Sequence, residues 1–202
     1  MDLVKLALAT TLACAAPARA WAQPEQSAAF ATSYAAEAKA DYADAIAPLK
    51  AGYTGSYEQN LRLGWLHFLA KAYPAAVSYY QKAAEQRPAA IEPRLGLIKP
   101  LNALGLAEKM LGVYGDILKI DPQNTQANYW VGVIYLNRKA YAQAARHFER
   151  VVNLYPFDYD STLALAWADL NLGKKAEARA LYTKVLLIRP GDAAATAGLK
   201  RL

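Results

Sequence analysis

The side chains best suited to chemistry are few in this chain of 202 residues, and they stand far apart. His67 and His147 are its only histidines, and Cys14 is its only cysteine. A zinc site gathers three or four nitrogen, sulfur or carboxylate ligands at one point, and two distant histidines without a thiol between them do not offer that set. No glycine-rich phosphate loop, GxSxG elbow or HExxH pair occurs. The chain reads as a non-enzyme that holds no metal and no cofactor.

Charge is the next resource. The formal net charge is +6. From Trp21 to Asn137 there are 10 basic and 10 acidic residues, whereas Arg138 to Leu202 holds 11 basic and 6 acidic ones. The excess therefore lies in the C-terminal third, where Arg146, Arg150, Arg179 and Lys184 form a candidate basic surface. An acidic partner or an anionic membrane surface would bind there; a merely solvated helix face is the plainer alternative. Nucleic acid is a poor fit for an exported chain, and no aromatic residues are regularly interleaved with these cations, so no nucleic-acid partner is expected.

The elements that must position these groups are set by a period. Pro88, Pro122, Pro156 and Pro190 stand 34 residues apart, and the residues between them repeat in register. The third unit is the clearest, with Val131-Gly132, Tyr135, Tyr141, Ala144, Phe148, Val151 and Pro156. The first follows with Leu63-Gly64, His67, Tyr73, Ala76, Tyr80, Ala83 and Pro88. The second offers Leu97, Leu101, Gly105, Met110, Tyr114, Ile117 and Pro122, and the fourth Leu165, Gly173, Ala178, Tyr182, Val185 and Pro190. Within a unit, apolar residues recur at the three- and four-residue steps that line one helix face. Small residues let paired helices approach, and Tyr80, Tyr114, Phe148 and Tyr182 fill the gap between hairpins. Each proline ends a helix, since it lacks an N–H and disfavours helix in the residue before it. A fixed period of this length marks a solenoid whose units bury apolar faces only against their neighbours.

These residues resemble the tetratricopeptide repeat over 57–190. The resemblance implies an all-α fold, a right-handed superhelix of antiparallel helix hairpins, in four repeats at 57–90, 91–124, 125–158 and 159–192. One departure stands out. The large aromatic usual at the fourth place is replaced by Asn60, Arg94, Asn128 and Thr162, a change expected to loosen hairpin packing. By register His67 takes the place of a core tyrosine and is expected to be packed and hydrogen-bonded; His147, among Arg146, Glu149 and Arg150, is expected to be solvated. The basic residues fall on the second helices and the turns before them, which are convex in the resembling family.

The resemblance further implies a peptide-binding groove along the first helices. The family's lining places fall on Leu61, Trp65 and Phe68 in the first unit, and on Leu95, Lys99 and Asn102 in the second. In the third they fall on Tyr129, Val133, Leu136 and Asn137, and in the fourth on Leu163, Trp167 and Asn171. The lysine and asparagine with which chaperone-adaptor members grip a C-terminal carboxylate are replaced here by Leu61 and Trp65, so that clamp is absent. An apolar and aromatic lining favours hydrophobic side chains of a protein or peptide partner; packing of the same aromatics between first helices is the competing reading. Pro100 falls inside the first helix of unit two and removes the donor for the Gly96 carbonyl, which either widens the groove or accommodates curvature.

The ends read differently. Lys5, an apolar run from Leu6 to Ala16 and Pro17-Ala18-Arg19-Ala20 form a secretory signal pattern over 1–22, with cleavage after Ala20 or after Ala22. Its removal lowers the net charge to +5 and leaves no thiol. Acylation of Cys14 is the lesser alternative, since Thr11 stands where lipoprotein sites carry an aliphatic residue. Residues 23–56 echo the repeat as a degenerate hairpin, with Pro48 expected to kink or shorten its second helix. Asp192 can N-cap a closing helix over 193–202. The sequence thus predicts a periplasmic or secreted scaffold for a protein or peptide partner, acting in envelope assembly, secretion or division. A membrane-associated subunit, lipidated or held by its basic surface, is the alternative. A monomer is expected, with a homo-oligomer left open.

Overall fold

The computed structural model describes residues 24–202, so the signal pattern and Cys14 lie outside the described residues. Eleven helices and no strand occur among them. The helices pair as hairpins: α1 (Pro24–Glu37) with α2 (Tyr42–Ala51), α3 (Tyr57–Leu69) with α4 (Tyr73–Gln86), and α5 (Glu92–Ala103) with α6 (Ala107–Ile120). The last two pairs are α7 (Thr125–Asn137) with α8 (Tyr141–Leu154) and α9 (Tyr159–Asn171) with α10 (Lys175–Ile188), and α11 (Ala193–Lys200) closes the array. The all-helical solenoid read from the period is the architecture found. Pro48 lies inside α2, which has 10 residues where the later second helices have 14. Pro100 is buried within an unbroken α5.

Caps decide where each hairpin begins and turns. The side chains of Ser56, Asn124, Asp158 and Asp192 accept from backbone N–H groups three residues on, which satisfies orphan donors at the starts of α3, α7, α9 and α11. Between paired helices the chain turns through one left-handed residue, and these recur at the same register: Lys71, Gly105, Lys139 and Gly173. The N–H that follows each reaches back five residues, as from Ala72 to the His67 carbonyl at 2.8 Å and from Ala140 to the Tyr135 carbonyl at 2.9 Å. That bond closes the helix and starts the return.

The hairpins lock together through aromatic rings pressed on backbone. A Cβ placed on Gly64 would stand 2.9 Å from the Tyr80 ring, and one on Gly132 would stand 2.7 Å from Phe148. Gly96 and Gly198, each in the following first helix, approach Tyr80 and Tyr182 more closely still. So Tyr80 is gripped by its own unit and by the next. The matching place in α7 holds Trp130, too large for that approach and 42% exposed. Correspondingly, α3 runs against α5 and α7 lies against α9, while α5 and α7 have no comparable contact.

The fourth-place departure does not leave loose packing. Asn60, Asn128 and Thr162 are fully buried. Asn60 Nδ2 donates to the Gly55 carbonyl and to Gln86 Oε1, both at 3.0 Å, and its Oδ1 accepts from the Tyr53 hydroxyl at 2.7 Å. Asn128 Nδ2 donates to the Pro122 and Asn124 carbonyls, each at 3.0 Å, and Thr162 Oγ1 donates to the Asp158 carbonyl at 2.6 Å. The polar groups have exchanged aromatic bulk for bonds that tie each helix to the loop before it, and a satisfied buried amide costs little.

Lys139 takes φ 59° where its counterpart Gly173 takes 78°. A side chain pays about 1 kcal/mol for the left-handed region, a cost that glycine avoids. Lys139→Gly is therefore expected to raise stability by about 1 kcal/mol, and Gly173→Ala to lower it by a similar amount. Urea unfolding midpoints of the two variants check this.

Candidate functional site

Two clefts lie along the predicted groove, and a wider hollow of about 1290 Å³ lies among α1, the end of α2, the α2–α3 loop and the start of α3. The first, of about 480 Å³, lies among α1, α3, α4 and α5. Phe30 and Tyr34 come from α1; Glu58, Leu61, Arg62 and Trp65 from α3; Tyr80 from α4; Glu92, Gly96 and Lys99 from α5. Arg62 is only 7% exposed. It forms an ion pair with Glu37, donates from Nε to Ser33 Oγ at 3.1 Å, and lies 3.9 Å from the Tyr34 ring centroid. Glu37 also accepts from Trp65 Nε1 at 2.6 Å, so one carboxylate on α1 orients both the buried cation and the indole. Lys99 Nζ stands 4.7 Å over the Trp65 ring. Of the rim carboxylates, Glu58 pairs with Arg87 at 2.7 Å, and Glu92 accepts from the Tyr57 hydroxyl at 3.4 Å.

The second cleft, of about 360 Å³, lies between units three and four. Thr125, Gln126, Tyr129 and Trp130 on α7 face Val151 and Tyr155 at the end of α8 and Asp158, Asp160 and Ser161 at the start of α9. Tyr129 meets Trp130 edge-on at 5.3 Å and Phe148 at 5.9 Å, which holds its ring in place. Burial, and then the neighbouring Asp160 and Asp158 carboxylates, push the Tyr129 hydroxyl above the usual tyrosine range.

The predicted lining residues divide between these clefts and the packed seam. Leu61, Trp65 and Lys99 meet in the first cleft and Tyr129 enters the second. Leu95 packs on the core around Tyr80, Val133 and Leu136 on that around Phe148, and Leu163 on that around Tyr182. Phe68 lies between Trp65 and Tyr73. Asn102 and Asn137 are exposed, and Asn171 donates back to the Trp167 carbonyl at 2.7 Å. Trp167 is 39% exposed, with the Arg201 guanidinium 4.6 Å over its ring. On the second helices, Arg146, Arg150 and Arg179 are exposed, and Lys184 lies 5.9 Å from the ring of Phe157. Counting only the family's lining places missed Phe30, Tyr34 and Trp130. Arg62 was the available signal: an arginine where later units carry Gly96 and Ala164 requires a carboxylate from the preceding hairpin.

Two family models for the tetratricopeptide repeat match residues 103–159 and 136–202. Residues 103–202 belong to the tetratricopeptide repeat family. Its fold is similar to that of a tetratricopeptide repeat protein from Parabacteroides merdae, with a TM-score of 0.73 at 20% identity over 88% of this chain and 72% of that one. It is similar also to MamA, at 0.70 and 16% identity over 81% and 91% of the two chains. MamA from Desulfovibrio magneticus gives 0.68 at 16% over 85% and 98%. No curated protein matches the chain in sequence.

Within this tetratricopeptide array both histidines stack on tyrosines, with the partners interchanged. His67 in α3 lies on Tyr79 in α4 at 5.2 Å, and Tyr135 in α7 lies on His147 in α8 at 5.8 Å. His67 Nε2 finds no hydrogen-bond partner among the described residues, so the expected bond is replaced by the stack. His147 is not solvated: it is half-buried, with Nδ1 2.9 Å from Asn128 Oδ1. No group of three or more metal-binding side chains occurs among the described residues.

Burial, reinforced by Lys50 near His67 and Arg150 near His147, holds both imidazoles below their ordinary value of 6.5. The unfolded chain then binds more protons than the folded one between the lowered values and 6.5. Stability is expected to be full above pH 6.5 and to fall as the pH drops below it. Urea midpoints at neutral and mildly acidic pH check this, and His67→Phe, which keeps a ring on Tyr79, should flatten part of the slope.

Proposed function

We propose that this protein is an exported scaffold that holds an extended segment of a partner protein along its first helices, within envelope assembly, secretion or division. Tetratricopeptide arrays serve in general as protein-interaction scaffolds, which is the ground for the partner's class. The observation that carries the groove reading is a run of aromatic side chains on one face that the hairpin seam leaves accessible: Trp65 in the first cleft, Trp130 in the second, and Trp167 beyond it. Export is supported by the charged, apolar and small-residue pattern of residues 1–22. No helix of the described residues is long and apolar enough to cross a membrane.

A second reading has its own support. Phe157 and Leu187 are 69% and 71% exposed, and Lys184 lies beside Phe157 and one helical turn before Leu187. A bilayer surface would accept this mixture of apolar and basic groups, which suits a membrane-associated subunit.

Trp167 offers the clean test of the groove. Trp65 is bound to Glu37, so its loss would disturb the fold as well. Trp167→Ala is expected to weaken partner binding by about 2 kcal/mol or more, as loss of a central aromatic anchor does. Its stability should fall by less than that of Phe148→Ala, which loses about 3–5 kcal/mol as a buried ring is removed. Photocrosslinking from position 167 in the native cell, followed by mass spectrometry, supplies the partner, and thermal melts separate the two effects. Full binding by Trp167→Ala would place the functional face elsewhere.

A further inference from the structure

Three tryptophans lie among the described residues, and two of them have a cation of the chain itself on the ring. Lys99 covers Trp65 at 4.7 Å and Arg201 covers Trp167 at 4.6 Å. Trp130 has none among the described residues, although it is the most exposed indole described and lies beside two carboxylates. Charge is balanced differently in the two clefts as well. In the first, Arg87 pairs with Glu58, and Lys99 lines the wall. In the second, neither Asp158 nor Asp160 takes part in an ion pair among the described residues, and no basic side chain lines the cleft.

The second cleft has further marks of a binding site. Ser161 lines it, is fully buried, and its Oγ has no hydrogen-bond partner among the described residues. A buried hydroxyl without a partner costs free energy, which an added donor would recover. Asp158 already uses Oδ1 to cap α9 through the Ser161 N–H at 2.8 Å, leaving Oδ2 for another donor. Asp160 is exposed and has no hydrogen bond among the described residues to hold it. Tyr129, Trp130 and Tyr155 supply aromatic faces, which attract a cation through the ring quadrupole.

Resting on the groove reading above, we infer that this cleft binds a cationic side chain, the ammonium of lysine or the guanidinium of arginine, carried by the segment that lies along the first helices. The cation sits against the Trp130 face, is neutralised by Asp160 and Asp158, and donates toward the Ser161 hydroxyl. The chain's overall positive charge does not oppose this, because at physiological salt the field of distant charges is screened over about 8 Å. The site discriminates by charge. A neutral side chain of the same length gains the aromatic contact but leaves both carboxylates unpaired.

The test uses small probes and the indole N–H signals of the full-length protein. N-acetyl-arginine methylamide and N-acetyl-lysine methylamide are titrated beside the neutral N-acetyl-norleucine methylamide, with signals assigned by tryptophan-to-phenylalanine variants. The cationic probes are expected to shift the Trp130 signal and to leave those of Trp65 and Trp167 in place. Norleucine, with the aromatic contact alone, should shift the Trp130 signal far less at the same concentration. Asp160→Asn should weaken the effect about fivefold, and Asp158→Asn, which keeps an N-cap residue, should also weaken it. Unchanged helicity in both variants confirms that the fold is intact. Equal shifts from norleucine, equal shifts at all three indoles, or full binding by Asp160→Asn would each overturn the inference. The two readings fail separately: a partner that crosslinks at position 167 yet binds Asp160→Asn fully keeps the groove and removes the cation site, whereas probe binding at Trp130 with no crosslink at position 167 does the reverse.

Discussion

The structure depends on how closely an aromatic ring can approach backbone. Tyr80 lies against Gly64 of its own hairpin and Gly96 of the next, and Phe148 and Tyr182 repeat the contact on Gly132 and Gly198. The Tyr80 ring, held on both faces without an intervening Cβ, fixes the distance between its hairpin and the next, because a packed interior does not tolerate an added methyl group at such range.

Departures at one register place show where the seam is relaxed. The sixth place of successive first helices holds Arg62, Gly96, Trp130, Ala164 and Gly198. Where the residue is small, the helix closes on the preceding hairpin. At Arg62 the closure is replaced by a buried ion pair to Glu37, and at Trp130 by a half-exposed indole. Arg62 lines the first cleft and Trp130 the second, although the second opens toward α8 and α9 rather than toward the hairpin before α7. The Arg62 departure is accommodated by a carboxylate on α1 and the Trp130 departure by aromatic contact with Tyr129.

This also explains what the sequence could and could not disclose. The helices and their turns were legible because a 34-residue period fixes prolines, glycines and aromatic knobs independently of any partner. Leu61, Trp65, Lys99 and Tyr129 were legible as a face because the register assigns them to one side of their helices. Phe30 and Tyr34 were not, since α1 lies in the part of the chain where the repeat is weakest. The fourth-place residues misled for a different reason. Loss of an aromatic at Asn60 or Asn128 reads as lost packing, and only the positions of the Gly55 and Pro122 carbonyls show that amide hydrogen bonds replace it. His147 was misread because its charged chain neighbours are exposed while it turns toward Asn128.

Net charge is a poor guide to what this molecule can hold, because its charges are sorted by face. The second helices carry the excess of arginine and lysine. The second places of the first helices carry Glu58, Glu92, Gln126 and Asp160, a row with three carboxylates and no cation. Arg87 neutralises the first of these and the Tyr57 hydroxyl engages the next, so the acidic character of the row survives chiefly at Asp160, with Asp158 beside it. A charge is felt most strongly where it is least paired. Asp160 is exposed but unpaired, so the acidic end of this row, rather than the paired carboxylates before it, is where the proposed cation would be neutralised.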